Sequence, residues 1–119
     1  MSDACRPGEL MSPEGIAYSP DGIIFNGHTR VAEYKWTSMS SKEMPTEESN
    51  NLPSKLDKFI DQMKLYAYWL ELQHGWLAIA FMYRPFQPDL RCFNLSWTAR
   101  ELQECHAKFM RHAREMGAL

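Results

Sequence analysis

Asp21, Glu33 and Lys35 are the residues whose types and spacing invite chemistry. They stand on the two arms of a turn. Ser19-Pro20-Asp21-Gly22-Ile23-Ile24-Phe25 leads into Asn26-Gly27-His28-Thr29, and Val31-Ala32-Glu33-Tyr34-Lys35-Trp36 follows. Read with a period of two, the second arm points Val31, Glu33, Lys35 and Thr37 to one side, and Ala32, Tyr34 and Trp36 to the other. A carboxylate and an ammonium thus leave one strand on one face, with Asp21 at the mouth of the neighbouring strand. Two acids and a lysine so placed can hold a divalent metal ion and a water. The competing reading is plain: Asp21-Gly22 as turn chemistry, and Glu33 with Lys35 as a solvated same-face pair.

Elements must exist to position these groups. The tandem Ser12-Pro13-Glu14-Gly15-Ile16-Ala17-Tyr18 and Ser19-Pro20-Asp21-Gly22-Ile23-Ile24-Phe25 reads as two turn-then-strand units. Asn26-Gly27 is the strongest hairpin signal in the chain, because both residues tolerate positive φ. The opening third is therefore expected to be a three-stranded meander behind an irregular lead-in over residues 1–12. Residues 38–53 are serine-, glutamate- and proline-rich with little to bury, and read as a flexible loop.

Ser54 with Asp57 resembles an N-cap arrangement, and Leu56, Phe59, Ile60, Met63, Tyr66, Ala67 and Leu70 recur at helical spacing. A helix is expected to about His74, with Gly75 as its stop. Trp76 to Tyr83 is continuously apolar, as in a mid-sheet strand, and Leu90 to Leu95 reads as a further strand. Thr98-Ala99-Arg100-Glu101 is a capping box opening a second helix, striped by Leu102, Cys105, Phe109, Ala113 and Met116 and closed by Gly117. The order βββαββα predicts one α+β (mixed α/β) domain over residues 1–119. Its central sheet is mostly antiparallel, then mixed, with two helices packed on it.

Composition narrows the class. A chain of 119 residues, 45% hydrophobic and 24% charged, has the balance of a soluble globular domain with one core. No apolar run approaches the ~18 residues of a membrane span, and the N-terminus carries no signal-like segment. Three scattered cysteines suit free thiols in a reducing compartment, so a cytoplasmic location is expected, that of the host cell if the chain is phage-encoded. The formal charge of −2 requires any DNA contact to come from a local basic cluster. Arg100, Lys108, Arg111 and Arg114 on the last helix, with Arg84 and Arg91 before it, supply one, although a solvated helix face is the commoner explanation and the helix dipole already accounts for Arg111 and Arg114.

The set Pro20-Asp21 … Glu33-Tyr34-Lys35 on a hairpin that leads into a helix resembles the PD-(D/E)XK nuclease superfamily. Gln62-Met63-Lys64-Leu65-Tyr66 on that helix fits the Gln-x-x-x-Tyr motif of its RecB-like, phage-type exonuclease branch. The resemblance runs from about Gly15 to Tyr83. It implies a Mg²⁺-dependent deoxyribonuclease, with Mn²⁺ as a substitute and DNA as partner. Asp21, Glu33 and the backbone carbonyl of Tyr34 would be metal ligands, Lys35 would serve the attacking water, and Gln62 and Tyr66 would organise the site. The chemistry agrees, since Mg²⁺ favours a few carboxylates while keeping most of its waters.

The chain also departs from that pattern. No helix with a histidine is evident ahead of the first strand. Three cysteines cannot ligate the iron–sulfur cluster of the Cas4-like members, and Cys105-His106 diverge on a helix, against a zinc site. Glu14 matches Asp21 in the tandem and reads as a turn acid or as a third acid near the metal. Self-association stays open. The reading is thus a DNA nuclease, exonuclease-leaning. A structure-specific endonuclease, or a non-catalytic DNA- or protein-binding module on the same scaffold, stands as the alternative.

Overall fold

The computed structural model describes residues 4–42, 52–83 and 87–118. The long β5 (Arg30–Thr37) lies at the middle of a five-stranded sheet. On one side it pairs antiparallel with β4 (Gly22–Ile24), which in turn pairs with β1 (Ala4–Cys5). On the other side it runs parallel to β6 (His74–Phe81), which pairs antiparallel with β7 (Asp89–Ser96). A separate two-stranded ribbon joins β2 (Leu10–Met11) to β3 (Ala17–Tyr18). Helix α1 (Asp57–Trp69) is the crossover between β5 and β6, and α2 (Ala99–Glu115) follows β7. The fold is α+β, with a mixed sheet that is mostly antiparallel and contains one parallel pair.

The sheet's inner face is built by alternation. Val31 of β5, Leu77, Ile79 and Phe81 of β6 and Phe93 of β7 are wholly buried, and Leu56, Met63 and Ala67 meet them from the helical layer. Each fully buried side chain of this size contributes about 2 kcal/mol of hydrophobic stabilisation. Helix α2 packs on α1 and sends Leu102 into the same core. Its start is the expected capping box, with the Thr98 side chain accepting from the Glu101 N–H and the Glu101 carboxylate accepting from the Thr98 N–H. The outer sheet face is bare by contrast: Tyr34, Trp36 and Leu90 are 56%, 75% and 69% exposed.

Four expectations need correction. The strand at Ile16–Tyr18 does not pair with the strand after it; β3 pairs with β2 instead. Buried Pro20 has no N–H to extend a ladder, and Tyr18 turns away to pack on Tyr66 and Trp69 of α1, ring centroids 5.4 and 4.8 Å apart. The lead-in contains the short strands β1 and β2, with β1 held by the edge that β4 offers. Ser54 makes no side-chain cap, because a 3₁₀ turn over Ser54–Leu56 precedes α1.

Finally, α1 ends at Trp69, well before His74, and Glu71 takes the left-handed conformation (φ 58°) that turns the chain. Gly75 lies inside β6, where an added Cβ would meet Trp97 at 2.6 Å and Met63 at 2.8 Å. It is a close-packing glycine, not a helix stop. Of the loop expected over 38–53, residues 43–51 lie outside the described residues, as does Arg84.

Candidate metal and catalytic site

The β4–β5 register decides how the acids meet. Gly22 pairs with Ala32, so the next step along the antiparallel ladder sets Asp21 opposite Glu33. Like charges directly opposite each other repel. Backbone donors hold the pair in place: the Asp21 N–H donates to Glu33 Oε1 at 3.3 Å, and the Tyr34 N–H donates to Asp21 Oδ2 at 2.9 Å. A strand residue's N–H and C=O point to the same side, so the Tyr34 carbonyl faces the edge where Asp21 sits. The Tyr34 side chain belongs to the outer face, edge-on to Trp76 at 5.7 Å.

Glu33 is only 2% exposed. Burial pushes its carboxyl up to about 7, and the hydrogen bond and negative charge of Asp21 push the same way. Lys35 Nζ, 3.5 Å from Glu33 Oε2, opposes this only in part. The lysine also stands over the ring of Phe59, 5.6 Å from its centroid. Two carboxylates thus share one nearby ammonium. Two adjacent carboxylates, one buried, with a carbonyl on the same edge form a hard oxygen donor set that fits Mg²⁺ or Mn²⁺. Among the described residues no group of three His, Cys, Asp or Glu side chains converges, so the carbonyl and water would have to complete the shell.

Gln62 and Tyr66, four residues apart on α1, face the pair. Gln62 Nε2 donates to Tyr66 Oη at 2.9 Å. Burial raises the Tyr66 phenol, Glu33 and Asp21 raise it further, and hydrogen bonds from Gln62 and the Ser19 backbone oppose them. The phenol is thus within electrostatic reach of both acids. Asp21, Glu33, Tyr34, Lys35, Gln62 and Tyr66 thus lie together beside β5.

Glu14 lies elsewhere. Its Oε1 accepts from Trp69 Nε1 at 3.1 Å and contacts His106 Nε2 at 2.6 Å, while the His106 ring stacks on Tyr68 at 4.2 Å. The His106 hydrogen bond holds the Glu14 carboxyl below the usual range against the opposing effect of burial, with Trp69 assisting. Phe59 and Tyr18 read from the sequence as helix-stripe and strand residues, and nothing local points to their place beside Lys35 and Tyr66, or to the Glu14–His106 contact across 92 residues. Of the basic residues, Arg91 pairs with Asp89 at 3.2 Å and Arg100 with Glu104 at 3.0 Å, whereas Lys108 borders a cleft beside Tyr66. The cysteines form no disulfide. No helix among the described residues is long and apolar enough to cross a membrane.

No family model matches the chain, and no curated protein matches it. Among solved structures the chain is similar to the crystal structure of SSO0001, at 19% sequence identity and a TM-score of 0.49. The match covers 91% of this chain and 50% of that one, so the chain spans about half that structure's length.

Proposed function

We propose that the chain is a metal-dependent DNA nuclease of the PD-(D/E)XK type, exonuclease-leaning, that hydrolyses phosphodiester bonds. The observation that carries this reading is the Asp21–Glu33 pair, set opposite one another by strand register with Lys35 beside Glu33. Asp21, Glu33 and the Tyr34 carbonyl would hold Mg²⁺, with Mn²⁺ as a substitute. A bound ion of this kind supplies a Lewis acid for a phosphoryl oxygen and makes water a competent nucleophile at neutral pH.

The chain's own residues do the rest. Lys35, held between the Glu33 carboxylate and the Phe59 ring, directs its ammonium toward charge that develops on the phosphate. Gln62 fixes the Tyr66 hydroxyl, and that hydroxyl orients groups arriving at the acid pair. The burial of Glu33 under the helical layer that packs on β5 strengthens each of these interactions.

The test is incubation with linear and covalently closed DNA in Mg²⁺, Mn²⁺ or EDTA, alongside Lys35→Ala. Metal-dependent digestion of linear DNA alone, lost in Lys35→Ala, is the expected result. Cleavage that persists in EDTA sinks the mechanism, and cleavage of closed circles favours an endonuclease. The bare outer face around Trp36 and Leu90 favours a second reading, a non-catalytic binding module, which predicts no cleavage of any substrate.

A further inference from the structure

A cleft of about 430 Å³ opens where β3, α1 and α2 meet, and it shares Gln62 and Tyr66 with the site above. That volume is in the range of small-molecule sites. Its walls are aromatic from all three elements. Tyr18 lies against Tyr66 and Trp69, and Trp69 meets Phe109 edge-on with centroids 6.0 Å apart. Its polar lining is Gln62, Lys108, His112 and one acid, Asp61. Gln62 spends one amide proton on Tyr66 and keeps its other N–H and its carbonyl. Lys108 brings a cation on an exposed position of α2. Tyr66 is the partition, its hydroxyl in the field of Glu33 and Asp21 and its ring lining the cleft.

We propose that this cleft receives an unpaired nucleobase of a DNA strand whose neighbouring phosphate lies at the Asp21–Glu33 pair; the proposal rests on the nuclease reading. A flat π-face matches walls made of aromatic rings, and base–aromatic stacking is tolerant of sequence. The edge of the base finds the free amide groups of Gln62, and the Lys108 ammonium finds a phosphate of the same strand. An alkyl ligand would leave the Gln62 amide buried without a partner, which is unfavourable. A base inside a duplex cannot enter such a cleft, so the substrate at this point is single-stranded or frayed. The assignment therefore narrows the substrate to DNA ends and single strands.

The test uses the whole chain with Ca²⁺ in place of Mg²⁺, a hard cation for the acid pair, and with the strand checked to be intact after each titration, so that binding is read without cleavage. Affinity for a fluorescent oligothymidylate is compared with that for a strand of the same length built from abasic residues. Removal of the bases is expected to weaken binding about tenfold, on the stacking scale. Leu65→Trp, which fills the cleft, abolishes that difference, and Lys108→Glu weakens both strands while preserving it. Cys105 also lines the cleft, and in the unmodified chain its alkylation, located by mass spectrometry, is slowed by oligothymidylate but not by the abasic strand.

Equal binding of the two strands, a base preference that survives Leu65→Trp, or unprotected Cys105 would each overturn the proposal. Parallel digestion in Mg²⁺ separates the two claims. Base-dependent binding without cleavage removes the nuclease reading and keeps the cleft assignment; cleavage with base-independent binding does the reverse.

Discussion

Ser12-Pro13-Glu14-Gly15 and Ser19-Pro20-Asp21-Gly22 are near copies in sequence, yet their acids meet opposite surroundings. Glu14 accepts from an indole N–H and contacts an imidazole, and its carboxyl is held low. Asp21 faces a second carboxylate, Glu33, whose burial first, and the neighbouring Asp21 second, push it up to about 7. The first arrangement is self-sufficient and ties the β2–β3 ribbon to both helices. The second is electrostatically incomplete. A local motif places an acid on a turn; whether that acid is a tether or a site depends on what the rest of the fold sets opposite it.

The comparison breaks most visibly at the incomplete pair. Asp21→Asn or Glu33→Gln should lower metal-dependent cleavage on the order of a thousandfold, as expected for loss of a metal-holding group. Glu33→Gln should at the same time raise the melting temperature at pH 8 by about 4 °C for each ~1 kcal/mol of repulsion relieved. Differential scanning calorimetry beside the cleavage assay reads both effects; a Glu33→Gln chain that is both inactive and less stable would mean the carboxylate is structural. Lys35→Ala should cost about a hundredfold in kcat, with metal affinity by calorimetric titration nearly unchanged.

Glu14→Gln should show the opposite signature. Weakening the His106 and Trp69 contacts should lower stability by about 1–2 kcal/mol in urea unfolding and leave kcat per folded molecule unaltered. The smallest effect concerns pH. Glu33 binds its proton more tightly folded than unfolded, so its contribution to stability is full below about 4.5 and is lost as pH rises through about 7. Glu14 has the lowered carboxyl, so its contribution is present above about 4.5 and is lost on acidification. Melting curves against pH should therefore lose their alkaline fall in Glu33→Gln and part of their acid fall in Glu14→Gln.

What was legible in the sequence was what depends on local periodicity. A period of two assigned the faces of β5, with Val31 and Glu33 buried and Tyr34 and Trp36 outside. Asn26-Gly27 announced the hairpin, and the four-residue spacing announced the Gln62–Tyr66 contact. Partners chosen by tertiary packing were not legible. Ile16 to Tyr18 looks like any strand, and beside the missing N–H of Pro20 it is the aromatic surface of α1 that explains why it leaves the sheet. Gly75 reads as a helix stop until Trp97 and Met63 are seen to close on it. The Glu14–His106 contact joins residues from opposite ends of the chain, where no pattern of spacing operates.

The two parities of β5 bear on how this gene can drift. Loss or gain of one codon between the hairpin turn and Glu33 would swing Trp36 and Tyr34 into the helix-covered interior and set the acid and the ammonium on the bare side. Indels of two codons preserve the facing of every side chain, whereas odd ones invert it. Length variation in this stretch should therefore be confined to even steps or displaced into the turn at Phe25–Thr29, where no ladder is crossed.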